Sequence, residues 1–140
     1  MSPISLAVPS IETFLEPVQV FVEKVGLAAG VEEDELTSLS IAVLELVKNG
    51  MEHGNGMNAD KQVRVDFEVL PGRLLVKVSD TGSWKPECDL GYQPGEGEKL
   101  FCDRGRGILI ARNLARWVEF GLDEEGNTRV TLTWPLPGAV

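Results

Sequence analysis

Apolar and polar positions follow two periods along this chain, and the alternation between them outlines the fold. Pro3 to Val8 reads as a short edge strand or extended arm. From Ile11, the residues Phe14, Leu15, Val18, Phe21, Val22 and Val25 recur at helical spacing. Ser10 is placed to cap that helix, Pro17 to kink or restart it, and Gly26 to Gly30 to end it. Glu32, Glu33, Asp34 and Glu35 open a second helix, where negative charge suits the first turn. It runs to about His53 and is terminated by Gly54-Asn55-Gly56. Gln62 to Leu70 and Leu74 to Ser79 then alternate as strands, joined at Pro71-Gly72 into a hairpin.

An irregular stretch rich in Gly and Pro follows, from Asp80 to Arg104. Loops of that length in compact domains usually carry function. A third helix begins near Gly105 and continues through Ile108, Leu109, Ala111, Leu114 and Ala115. Trp117 to Leu122 and Thr128 to Trp134 form a second hairpin, turned at Glu125-Gly126-Asn127. The order strand, helix, helix, hairpin, loop, helix, hairpin predicts an α+β two-layer sandwich: a mostly antiparallel sheet with helices on one face.

The length of 140 residues fits one domain, 1–140, and the 43% hydrophobic and 25% charged residues are ordinary for a globular chain. A formal net charge of −9 sets a repulsive field against nonspecific nucleic-acid binding and favours a basic partner surface. It leaves room for a locally positive anion site. Cys88 and Cys102 have no metal-ligand spacing and read as free thiols in a reducing compartment. The N-terminal residues lack the basic and apolar regions of a signal peptide, and no apolar run approaches the ~18 residues of a membrane span. The expectation is a cytoplasmic protein with no membrane partner.

On the second helix, Leu36, Leu39, Val43, Leu46 and Gly50 make the core-facing stripe. Glu45, Asn49 and His53, at i, i+4 and i+8, line up on another face. A carboxylate there can deprotonate a nucleophile, and an amide oxygen is a hard ligand suited to Mg²⁺. By itself such a ladder is also what a solvated helix face looks like. Two loops change the balance. Asp80-Thr81-Gly82-Ser83 puts a carboxylate at a strand end, where it can accept from an exocyclic amine, and a glycine where a flat base can approach. Asp103-Arg104-Gly105-Arg106-Gly107-Ile108 places glycines and arginines at a helix N-terminus, an anion-binding arrangement.

These segments, in this order, resemble the GHKL ATPase superfamily of gyrase, Hsp90, histidine kinases and MutL. Glu45-Leu-Val-Lys-Asn49-Gly-Met-Glu-His53-Gly54-Asn55 is similar to its N box, Asp80-Thr-Gly82 to its G1 box and Gly105-Arg-Gly107 to its G2 box. Glu52-His53-Gly54, Phe21-Val22 and the run Gly105 to Arg112 most resemble the small stand-alone branch, anti-sigma factors that are also serine-protein kinases. The resemblance covers nearly the whole chain. It implies ATP and Mg²⁺ as cofactors, with Glu45 as general base and Asn49 as the Mg²⁺ ligand. His53 falls in the nucleotide-binding N box. Asp80 would recognise adenine beside Gly82, Gly105 and Gly107 would present amides to the phosphates with help from Arg106, and Thr128 would reach the base through water. Residues 85–104 would be the ATP lid.

The resemblance further implies two protein partners, a sigma factor and an antagonist with a phosphorylatable serine, and pairing of two copies through the first helix and the Gly26–Glu35 loop. One departure stands out: Ser83 leads directly to Trp84, so the G1 loop is one residue shorter than the usual pattern. That shortening favours an alternative, a nucleotide-dependent partner-binding module in which Glu45 performs no catalysis. The catalytic domain of a histidine kinase would call for a preceding coiled coil with a phosphoacceptor histidine, and His53, the sole histidine, lies inside the N box.

Overall fold

Five strands, each hydrogen-bonded only to antiparallel neighbours, form a sheet of order β1-β2-β3-β5-β4 in the computed structural model, which describes residues 3–82 and 117–137. The strands are β1 (Ile4–Pro9), β2 (Gln62–Leu70), β3 (Arg73–Ser79), β4 (Trp117–Leu122) and β5 (Thr128–Pro135). Two helices, α1 (Leu15–Ala29) and α2 (Leu36–Asn49), supply the second layer. The expected α+β sandwich is therefore the observed fold. The third helix near Gly105, the lid at 85–104 and both cysteines lie outside the described residues.

Strict alternation sorts the sheet into two faces. Val63, Val65 and Phe67 of β2 are buried, as are Leu74, Val76 and Val78 of β3 and Val130, Leu132 and Trp134 of β5. Between them Arg64, Asp66, Lys77, Arg129 and Thr131 occupy the opposite face. Val18 and Val22 of α1 and Leu39, Val43, Leu46 and Val47 of α2 complete one continuous core. Phe21 meets Phe67 edge-on, with ring centroids 5.8 Å apart and planes at 63°.

Several local expectations need adjustment. Ile11 and Phe14 stand outside the core, because the chain first makes a 3₁₀ turn at Glu12–Phe14 and α1 starts only at Leu15. Pro17 falls in the first turn of α1, where its missing N–H has no intrahelical acceptor to lose, so the helix passes through without interruption. Ser10 does not cap the helix: its hydroxyl donates to the Lys61 carbonyl at 2.8 Å. The second helix begins with a 3₁₀ turn at the acidic Glu33–Glu35 and ends in a π-helical turn, Gly50–Gly54. Gly72, with φ of 76°, follows Pro71 in the hairpin turn as a type II turn requires. No helix among the described residues is long and apolar enough to cross a membrane.

Candidate functional site

The site is assembled where three pieces meet: the end of α2 with its π-turn, the loop after β3, and the start of β5. The π-turn is the local cause. Its carbonyls are met one residue later than in an α-helix, with the Asn55 amide donating to Gly50 O at 2.9 Å, which carries the chain across the ends of β2 and β3. Single π-turns inside helices are frequent at functional sites.

Asp80 sits immediately beyond β3 and is only 6% exposed. Its amide donates to the Thr128 carbonyl at 3.1 Å, and the Thr128 amide donates to the Gly82 carbonyl at 2.8 Å, so the loop is fastened to β5 on both sides of Asp80. The Gly82 amide donates to Asp80 Oδ1 at 2.7 Å, closing an Asx turn. The carboxylate lies directly on Gly54: a methyl group there would stand 2.2 Å from the Asp80 carboxyl carbon. A methyl on Gly82 would stand 2.3 Å from the Gly54 carbonyl oxygen. Glycine at 82 is thus required by the π-turn packed against it, before any base approaches.

Asn49 ends α2 and is 7% exposed. Its amide nitrogen has no hydrogen-bond partner among the described residues. A buried polar atom left unpaired costs about 1–3 kcal/mol, so such an atom in a native fold calls for a ligand or a function. A half-turn of the carboxamide exchanges its nitrogen for its oxygen, so the same position can present an acceptor to a cation. Glu45, one helical turn earlier, is half-buried and makes no hydrogen bond or ion pair among the described residues. His53 lies on the π-turn and is exposed. Thr128 is buried at the head of β5. Gly105, Arg106 and Gly107 fall outside the described residues, and with them the expected phosphate loop.

Three residues of this region escape a linear reading. Gly54 and Asn55 look like a helix terminator and Ser10 like a cap, yet Asn55 joins Ser10 to Thr81 through its side chain. The only linear cue is the polar Asn directly after His-Gly, a residue type also common at helix ends.

A carboxylate held at a strand end against two glycines can accept from a donor, a buried amide whose nitrogen has no partner among the described residues can turn its oxygen toward a cation, and a half-buried glutamate stands one helical turn before it. The sequence matches the family described as histidine kinase-like ATPase domain over residues 8–134. The chain belongs to that family. The chain is similar to the serine-protein kinase RsbW of Listeria innocua, with 25% identity over 126 residues, 86% of this chain and 80% of the relative. It is also similar to the serine-protein kinase RsbW of Bacillus subtilis, with 27% identity over 116 residues, 79% of this chain and 72% of the relative. An ATPase domain of this kind implies an ATP site.

Proposed function

We propose that this protein is an ATP-dependent serine-protein kinase that also acts as an anti-sigma factor, switching between a sigma factor and a small antagonist protein. The observation that carries the reading is the seating of Asp80 against Gly54, whose carbonyl Gly82 packs on, together with a buried Asn49 amide nitrogen that has no partner among the described residues. Similarity to proteins named serine-protein kinase supports it.

In this reading the Asp80 carboxylate accepts a hydrogen bond from the exocyclic amine of adenine. Asn49 is the protein ligand of Mg²⁺, which would neutralise phosphate charge and complete its shell with water and phosphate oxygens. Glu45 accepts the proton of the antagonist's serine hydroxyl as the serine oxygen bonds to the γ-phosphorus. The bond between that phosphorus and the β–γ bridging oxygen breaks, and ADP leaves. Little else is asked of the protein than positioning and electrostatics. The product serine carries about −1.5 to −2 in charge. Facing a chain of net charge −9, the phosphorylated antagonist is repelled, which frees this protein to hold its sigma factor. His53 and Thr128 border the nucleotide, and Gly105, Arg106 and Gly107 hold its phosphates. Pairing of two copies would use α1, where Val20 and Leu27 are exposed one above the other.

The test is calorimetric titration with Mg²⁺-ATP, followed by transfer of labelled γ-phosphate to an antagonist serine. Wild type binds and transfers. Asp80→Asn does not bind. Glu45→Ala binds and fails to transfer. Binding without transfer by wild type replaces the kinase with the nucleotide-dependent binding module; no binding at millimolar ATP removes both.

A further inference from the structure

The side chain of Asn55 is 3% exposed and its whole hydrogen-bonding capacity is used. Nδ2 donates to Ser10 Oγ at 2.9 Å and to the Gln62 carbonyl at 3.0 Å. Oδ1 accepts from the Thr81 amide at 3.0 Å and from Thr81 Oγ1 at 2.8 Å. The partners leave no freedom in the orientation of the carboxamide. The Thr81 amide can only donate and the Gln62 carbonyl can only accept, so the oxygen must face Thr81 and the nitrogen Gln62. Each partner belongs to a different piece of chain: Ser10 follows β1, Gln62 opens β2 and Thr81 follows β3. Ser10 is in turn held, its amide and hydroxyl both donating to the Lys61 carbonyl at 3.0 and 2.8 Å.

Thr81 stands between the two residues that form the Asx turn of Asp80 and Gly82. Fixing its amide fixes the peptide plane that joins it to Asp80, and therefore the direction in which the carboxylate is presented. Asx turns in exposed loops are held by one local bond; here a second, long-range bond is added by a residue 26 positions away in sequence.

We propose that Asn55 is a positioning residue for base recognition: by holding Thr81 it locks the Asp80–Gly82 turn in the one geometry that reads an exocyclic amine. This rests on the reading of Asp80 as the adenine acceptor. Asparagine is the only side chain that serves. Aspartate would turn a carboxylate oxygen toward the Gln62 carbonyl, and leucine would strip Thr81, Ser10 and Gln62 of their partners at once.

The experiment compares the dissociation constants of ATP and ITP, which carries a carbonyl oxygen in place of the amine. It uses wild type, Asn55→Ala, Asn55→Asp and Thr81→Val, each shown to be folded by thermal denaturation and assayed well below its midpoint. Wild type is expected to prefer ATP by about tenfold or more, the scale of one well-made hydrogen bond to a charged group. Both Asn55 variants are expected to bring the ratio close to one. Thr81→Val removes one of the two donors to Oδ1 at an exposed position and is expected to lower the ratio part of the way. A purely structural Asn55 would lower the denaturation midpoint and leave the ratio at its wild-type value; that result overturns the proposal. Should the Asn55 variants fail to fold, Thr81→Val decides alone, and an unchanged ratio there overturns it equally. Wild type with no preference for ATP would instead remove the adenine reading of Asp80, and the proposal with it.

Discussion

Gly54 and Gly50 lie four residues apart on the same turn, and both face Asp80, but they are not equivalent. A methyl group at Gly54 would overlap the Asp80 carboxyl group at 2.2 Å, whereas one at Gly50 would meet Val63 and Asp80 at 3.4 and 3.5 Å, ordinary contact distances. Gly54→Ala should therefore displace Asp80 and weaken ATP binding by about tenfold or more, a loss of at least ~1.4 kcal/mol in calorimetry. Gly50→Ala should bind ATP within about threefold of wild type, below ~0.7 kcal/mol. Asn49 gives the opposite kind of test. Its buried amide nitrogen has no partner among the described residues, so Asn49→Leu removes a polar group uncompensated by them. The variant should match or exceed wild type in stability without nucleotide, by up to about 1 kcal/mol, while losing Mg²⁺-dependent ATP binding. Denaturation and titration of the same preparation would read both effects. A residue kept at a cost to stability is what a ligand site predicts.

At the scale of elements, turn chemistry holds the sheet in register and the π-turn delivers the site. Gly72 has φ of 76° in the β2–β3 turn, and its carbonyl accepts from Leu136 at 3.0 Å beyond the end of β5. That turn lies at the end of the sheet opposite Asp80, since Arg73 pairs with Pro135 while Ser79 pairs with Arg129. Gly72→Ala should destabilise the fold by about 1–2 kcal/mol, the cost of a side chain in left-handed backbone, and leave the affinity of the folded protein for ATP unchanged. Urea denaturation and calorimetry separate the two. The pairing of β2 with β3 and of β4 with β5 is written in the sequence by alternation and by Pro-Gly and Gly-Asn turns. The π-turn is not, because nothing in Gly50-Met-Glu-His-Gly54 distinguishes an i+5 bond from an i+4 bond until β2 and β3 press against it.

For the whole molecule, nucleotide binding and folding are linked, because a ligand that binds only the folded chain adds its binding energy to stability. Saturation with Mg²⁺-ATP at a hundredfold excess over the dissociation constant should add about 2.7 kcal/mol and raise the denaturation midpoint. Asp80→Asn should show no such rise. Phe67, fully buried and edge-on to Phe21, belongs to the core between sheet and helices. Phe67→Ala should cost about 3–5 kcal/mol. Because the sheet carries both core and site, that variant should lose ATP binding in proportion to the fraction unfolded, and added ATP should restore part of it.

The sequence by itself determined the two-layer class, the strand and helix faces, and the candidates Glu45, Asn49 and Asp80. Those follow from periodicity and from local chemistry, which act over a few residues and are therefore visible in a linear string. The roles of Ser10, Gly54 and Asn55 were decided only by the tertiary structure. Ser10 finds its acceptor 51 residues away at Lys61, and Asn55 finds Thr81 26 residues away. Gly54 has its reason in a carboxylate 26 residues on. A local cap and a long-range hydrogen bond draw on the same hydroxyl or amide, and the choice between them is made by burial: once folding removes water, each polar group must take the partner that the packed chain puts beside it.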